Sequence, residues 1–304
     1  MSFPDLGRIP QPYHHMMLSN GRRMAAFRHA IARTVRPGDR VIEAGTGSGI
    51  LSALAVRAGA EHVWALERDP EMAAVARRTM QLNGLSERVS VVEGPAEAFD
   101  CPERPDVVIC EMLHVGLVNE QQVPVMRALL ARHGHPGLRI IPHAAVSALQ
   151  LMAVDDHYEG FRIPLIRSSH PYVEDPRLAA VSEPVTYWVC LMQEAAPEID
   201  VCVPLEAACD ATVNAVSLIT KAVMTEAFDH PDNDWYLFQL QLPLPPREVQ
   251  AGESVTVHLS YRAGAPLEAI RLGWASPTRG AAPPPSPQAD GPAGDAPAPK
   301  SLRC

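Results

Sequence analysis

Apolar positions in the first half of the chain come as short, nearly continuous runs separated by longer stretches of mixed character. The runs at 41–44, 62–67, 89–93, 106–110 and 138–141 read as strands buried on both faces. The stretches at 24–34, 51–58, 70–83 and 120–133 read as helices. Punctuation agrees with this division. Pro37-Gly38 makes a turn into the first strand, and Pro70 suits the first turn of its helix. Asn83-Gly84 ends that helix, and Pro142 stops the fifth strand. Strands alternating with helices predict a parallel α/β sheet.

Past Pro142 the texture changes. Strand-like segments at 146–154, 185–191, 213–225, 235–242 and 254–261 are separated by Pro, Gly and Asp turns, which predicts an antiparallel β half, a sandwich or barrel. From Ser276 the chain is dominated by Pro, Ala and Gly, a composition that cannot bury a core and is expected to form a disordered tail dispensable for chemistry. The expected division is therefore 1–143, 144–275 and 276–304. No internal repeat is evident.

Charge and cysteine use narrow the functional classes. The formal net charge is −9 over 304 residues, which argues against a nucleic-acid-coating protein and favours cationic substrates. Six cysteines include no C-x-x-C, and twelve histidines include no H-E-x-x-H, so neither a disulfide framework nor a metal site is expected. The N-terminus lacks the basic and apolar regions of a signal peptide, and no apolar run approaches the ~20 residues of a membrane helix. A soluble, cytoplasmic protein is expected, with no nucleic-acid or membrane partner.

The segment V-I-E-A-G-T-G-S-G-I-L, from Val41, runs from a strand through a glycine turn into a helix, and the next strand ends on Glu67. Such a βαβ unit places a ligand at the strand ends, and an acid some twenty residues beyond the turn can hold a ribose by its hydroxyls. Gly45, Gly47 and Gly49 read G-x-G-x-G, with Ile50 where a dinucleotide site would carry its third glycine. This form resembles the S-adenosylmethionine pocket of class I methyltransferases, whose ligand has a ribose but no pyrophosphate.

A second motif follows the fourth strand. In E-M-L-H-V-G-L-V-N-E, Glu111 and Glu120 bracket an otherwise uncharged loop at the ligand-facing edge of the sheet. Here the chain resembles the protein arginine methyltransferase family, whose hallmark is a double-glutamate loop at this position and spacing. The chemistry suits the pair: a guanidinium is a planar fork of donors that carboxylates meet with parallel hydrogen bonds. The resemblance implies a Rossmann-like class I methyltransferase domain followed by an antiparallel β-barrel-like domain, with S-adenosyl-L-methionine as cofactor. It implies methylation of a guanidino nitrogen of arginine in a protein or peptide, with a homodimer possible. It places Glu111, Glu120, Asp234, His14 and Met17 at the reaction centre. Cofactor contacts are implied for Arg23, Glu43, Gly45, Thr46, Gly47, Gly49, Glu67, Arg68, Ala96, Glu97 and Glu111. Among these, Arg23 would hold the cofactor carboxylate and Glu97 the adenine amino group.

Departures from the family pattern keep other readings open. Where the family carries Thr-His-Trp in the β domain, this chain has Asn233-Asp234-Trp235, and the acid that pairs with that histidine is Asn20. Asn20 and Asp234 would then lie within hydrogen-bonding reach, with Asp234 a third acid beside the two glutamates. The N-terminus is short and proline-broken, and the family's tyrosine-rich helix over the cofactor is not legible in it. The region of the dimerisation arm is also short. A divergent, bacterial-looking relative is expected. Free arginine or another small-molecule acceptor is one alternative, and a non-catalytic, partner-binding relative is a second.

Overall fold

The computed structural model describes residues 9–194, 196–227 and 230–275, so the stretch expected as a tail lies outside the described residues. Two helices, α1 (Gln11–Ser19) and α2 (Gly21–Thr34), precede five strands: β1 (Arg40–Ala44), β2 (His62–Glu67), β3 (Val89–Glu93), β4 (Val107–Cys110) and β5 (Arg139–Ile141). Between these strands lie α3 (Ile50–Ala58), α4 (Pro70–Leu82) and α5 (Gln122–His133). The strands pair in parallel in the order β3-β2-β1-β4-β5. The order reverses between β1 and β4, and a crevice opens at such a switch point beyond the carboxyl ends of the strands. Ala44 and Cys110 are the last paired residues there, so the glycine turn and the Glu111–Glu120 loop leave the sheet side by side.

Local chemistry explains where the helices begin. The Asn20 side chain accepts from the Arg23 amide at 3.1 Å and caps α2, and Asp69 caps α4 by accepting from Glu71 at 3.0 Å. α1 forms despite two prolines because both stand at its entry, where no helical hydrogen bond is lost. Both faces of the parallel sheet are covered. Val41, Ile42, Val63, Leu66, Val107, Val108 and Ile109 are all buried, which accounts for their continuous apolar runs.

The second half is antiparallel. Its strands are β6 (Ala144–Val154), β7 (His157–Tyr158), β8 (Phe161–Arg162), β9 (Arg167–Ser169), β10 (Leu178–Ala180) and β11 (Val185–Leu191). They continue with β12 (Glu198–Glu206), β13 (Ala211–Val223), β14 (Asp234–Tyr236), β15 (Gln239–Val249), β16 (Ser254–Arg262) and β17 (Arg271–Trp274). One sheet runs β10-β6-β13-β15-β9, with β11 also on β6 and β14 on β13, and a second runs β12-β16-β17. The expected Rossmann-like half and antiparallel β half are thus both present. The two share one apolar core: Leu113, Val115, Leu117 and Val118 of the loop after β4 belong to the same buried cluster as Leu149, Val216 and Leu218. α5 begins at Gln122, two residues later than the sequence suggests, after a loop in which Leu117 and Asn119 adopt left-handed φ values of 55° and 61°.

Phe27, at 0% exposure, fixes α2 to this core. Phe27→Ala should lower the unfolding free energy by about 3–5 kcal/mol, measured by urea denaturation. A loss below about 1 kcal/mol would show that α2 is not docked as described.

Candidate active site

The glycine turn is built from below and closed from the side. Beneath it, the buried Glu43 carboxylate accepts from the Thr46 hydroxyl at 2.8 Å and from the Ser52 hydroxyl. Burial pushes the Glu43 carboxyl up to about 7, against the pull of those two hydroxyls. Glu43 and Thr46 therefore brace the turn through each other. At the side, Glu67 accepts from the Gly47 amide at 2.8 Å with one oxygen and from the Asp69 amide at 2.9 Å with the other. Each oxygen keeps a lone pair for a hydroxyl of a bound sugar.

α1 lies across this turn. Any side chain at Gly47 would strike the His14 ring, since a Cβ there would fall 3.0 Å from its Cε1 and Nδ1, and the φ of 54° is itself suited to glycine. Tyr13, His14 and Met17 are the less exposed positions of α1, one face of one helix, while Met16 and Leu18 point to solvent. A helix thus covers the cradle where the sequence showed only prolines. Burial lowers the His14 pKa and raises that of Tyr13, with the Glu120 and Glu111 charges raising Tyr13 further. The phenol accordingly lies close to both acids. Sequence reasoning missed Tyr13, although its place on the His14–Met17 face was a usable signal.

Arg23 sits between the cradle and the acids. Its guanidinium donates to the Glu111 carboxylate, both side chains being under 10% exposed (6% and 9%). Its Nε is buried and unpartnered, and its guanidinium carbon lies 5.1 Å from the Phe27 ring centroid and 5.8 Å from that of Trp235. A buried N–H without an acceptor beside the turn suits an incoming carboxylate. Burial first, and then the Glu111 charge, push the Glu120 carboxyl up to about 8, while Arg23 pulls it down. Gln122, fully buried and also missed, ties the two ends of the loop by accepting from the Met112 amide at 2.9 Å.

Other sequence-predicted residues divide. A Cβ on Gly45 would meet Met112 at 3.0 Å, which places that glycine against the acid loop, and Gly49 packs on Met80 of α4. Ala96 is buried in the turn after β3, while Glu97 and Arg68 are exposed near the strand ends. Asp234 is a correction. It pairs with Lys221 Nζ at 3.0 Å and its side chain is 43% exposed, while Asn20 is engaged in capping α2. β14 alternates, and the inward position falls to Trp235. The expected Asn20–Asp234 hydrogen bond is not made, and Asp234 does not appear among the charges acting on Glu120. Among the described residues no cluster of His, Cys, Asp and Glu could hold a metal ion.

Comparisons with known proteins converge on this geometry. A protein-family model, ribosomal protein L11 methyltransferase (PrmA), matches residues 28–136. An uncharacterized protein, MJ1452, of Methanocaldococcus jannaschii is 31% identical over 268 residues, spanning 87% of this chain and 97% of that one. An arginine N(omega)-methyltransferase of Streptomyces achromogenes subsp. streptozoticus is 31% identical over 161 residues, 51% of this chain and 44% of that enzyme. The chain belongs to the protein arginine methyltransferase-like family of class I methyltransferases. Its fold is shared with a Trypanosoma brucei PRMT1 enzyme-prozyme complex holding AdoHcy, at a TM-score of 0.70 and 19% identity over 82% of this chain and 87% of that one. The chain spans less than half the length of the Streptomyces enzyme.

A class I methyltransferase of this family takes its methyl group from S-adenosylmethionine. The residues present fit that ligand: Glu67 offers acceptors for ribose hydroxyls, and the orphaned Arg23 Nε offers a donor for the amino-acid carboxylate. Glu67→Ala should weaken cofactor binding by roughly tenfold to a hundredfold, the loss of one charged hydrogen bond. Calorimetry checks this, and wild-type affinity would remove Glu67 from the site.

Proposed function

We propose that this protein methylates a guanidino nitrogen of arginine in a protein or peptide. The observation that carries the reading is the pair Glu111 and Glu120 on one loop beside the cofactor cradle, with Glu120 held protonated up to about pH 8 by burial and by its partner's charge. Such a pair lacks a second cation, and a planar fork of donors would supply one. Arg23 already presents a guanidinium to Glu111, so the pocket accepts that group. The net charge of −9 favours a cationic acceptor. The named relatives support arginine as well, among them a probable protein arginine N-methyltransferase 6.1 of Oryza sativa subsp. indica, 33% identical over 149 residues.

In this reading the bound cofactor supplies an electrophilic methyl group with a good leaving group. Glu111 and Glu120 fix the guanidinium plane so that one nitrogen faces that methyl, and positioning contributes most of the acceleration. With the cofactor bound, its methyl carbon would exchange its bond to sulfur for one to the acceptor nitrogen, and Glu120 Oε would take the proton that the nitrogen loses. His14, Met17 and Tyr13 shield the cradle from water through α1. Gly45, Gly47, Gly49, Glu67, Arg23, Ala96, Glu97 and Arg68 line or flank the cofactor, and Glu43 and Thr46 serve it by bracing the turn. A homodimer is supported by apolar side chains left in solvent on one segment, Phe161 at 73% and Leu165 at 64% exposure. No helix among the described residues is long and apolar enough to cross a membrane.

Incubation with radiolabelled cofactor, with protein lysate and free arginine as parallel acceptors, tests the assignment. Label in protein arginine is expected, and label only in free arginine would favour the small-molecule alternative. Glu111→Gln and Glu120→Gln should each abolish most transfer while leaving cofactor affinity nearly intact, which single-turnover assays at saturating cofactor can separate. Normal turnover in both would remove the guanidinium clamp.

A pH profile follows from the raised Glu120 pKa. The acceptor cation needs the ionised carboxylate, so kcat/KM should climb with pH up to about 8 and level off above it. A profile that is flat from about pH 6 to about pH 9 would contradict this.

A further inference from the structure

The β half meets the acid loop through hydroxyls. At the apex of that loop the Gly116 amide donates to Thr220 Oγ1 of β13 at 2.7 Å. Thr220 Oγ1 lies 2.9 Å from Ser147 Oγ of β6, and both residues are 0% exposed. Ser147 also acts on the neighbouring Tyr187 phenol, whose oxygen lies 2.7 Å from that of Tyr261. A bulge in β11 falls between Thr186 and Trp188, where Tyr187 stands. The chain of groups returns on itself, since a Cβ on Gly116 would sit 3.5 Å from the Tyr261 hydroxyl and 2.8 Å from Leu218 Cδ2.

Hydroxyls buried in an apolar core are poor instruments of stability, because same-shaped apolar side chains replace them at little cost. They do specify one arrangement. What needs specifying is the loop itself. Gly116, Leu117 and Asn119 hold φ values of 67°, 55° and 61° within four residues. Such backbone persists only where its surroundings over-determine it. The Glu120 arm is tied to the chain beyond β16. Gly264 donates to the Leu117 carbonyl, Asn119 donates to the Ala265 carbonyl, and Leu267 donates to Asn119 Oδ1, each at 2.8 Å. Gln122 ties the Glu111 arm. The side chain that holds the apex is that of Thr220.

We propose that Thr220 is a positioning residue for methyl transfer, setting the separation of Glu111 and Glu120 through the Gly116 amide, with Ser147, Tyr187 and Tyr261 orienting its hydroxyl. This rests on the reading of Glu111 and Glu120 as the acceptor clamp. Thr220→Val keeps the shape and removes the acceptor, Thr220→Ser keeps the acceptor, and Glu120→Gln serves as the control. Each is compared with wild type for cofactor affinity by calorimetry and for kcat and KM on a synthetic arginine-containing peptide. Thr220→Val is expected to lose roughly tenfold to a hundredfold in kcat, with cofactor affinity unchanged within about twofold. Thr220→Ser is expected to turn over near the wild-type rate. A merely structural role would lower the melting temperature and cofactor affinity together and leave kcat of the folded fraction unchanged. Wild-type kcat in Thr220→Val, with Glu120→Gln inactive, overturns the proposal and spares the clamp. Normal turnover in Glu120→Gln overturns the clamp and the proposal with it. If Thr220→Val does not fold, Ser147→Ala carries the same test by removing the second partner of the Thr220 hydroxyl: reduced kcat at unchanged cofactor affinity supports the proposal, and unchanged kcat overturns it.

Discussion

The structure turns on a strained loop that must be held from two sides. Ten residues, Glu111 to Glu120, leave β4 beside the glycine turn and cross into the core of the β half before α5 begins. Three of them occupy left-handed backbone, two without the freedom of glycine. Glycine and asparagine tolerate that conformation but Leu117 does not, so the loop leans on tertiary contacts. Leu113, Val115, Leu117 and Val118 supply apolar anchorage, and Thr220, Gln122, Gly264, Ala265 and Leu267 supply the hydrogen bonds. The Rossmann-like half could bring a cofactor to the sheet edge by itself. Fixing two carboxylates beside it requires the second half.

Electrostatics imposes the complementary constraint. Two acids withdrawn from water repel each other; Arg23 pairs directly with the first and offsets the charge of the second only in part. The sign of the linkage follows from the direction of the shift. A carboxyl whose folded pKa is raised contributes stability that is complete below its unfolded pKa of 4.5 and is lost as pH rises through about 8. Above that range the free protein carries an only partly offset charge in its pocket. A cationic acceptor removes the penalty, so under the proposed function the pocket is tuned to be uncomfortable until its substrate arrives.

Much of the first half was legible because short apolar runs and glycine punctuation report directly on a parallel sheet. The cradle was legible for the same reason: Gly47 and Glu67 are bound to each other by one hydrogen bond that any such turn requires. The acid pair was singled out by its position after the fourth strand and its likeness to the family's double-glutamate loop, and both acids stand at the ends of one loop. The β half was blurred. β12 escaped the reading because Asp200 and Pro204 interrupt its run, although Ile199, Val203 and Leu205 alternate inward. Asp234 misled because a motif comparison assigns a residue to a position without saying which face of the strand it takes. On β14 the alternation gives Trp235 the inside and leaves Asp234 to Lys221. Thr220 and Ser147 carried no signal at all, since a buried hydroxyl in a strand looks like any other β-branched or small residue until its partner is seen.

That distribution has a chemical consequence. Where the family pattern places a histidine from the β domain against the acid loop, this chain turns Asp234 outward and meets the loop with buried hydroxyls. A histidine titrates near neutrality and could exchange protons with the acids. Burial holds the phenols of Tyr187 and Tyr261 well above their ordinary pKa, and they stay neutral throughout the working range. The β half therefore shapes the site without joining its proton balance. Ionisation between neutrality and mild alkali then falls to the first half, to Glu43 beneath the glycine turn, pushed up to about 7, and to Glu120 on the acid loop, pushed up to about 8.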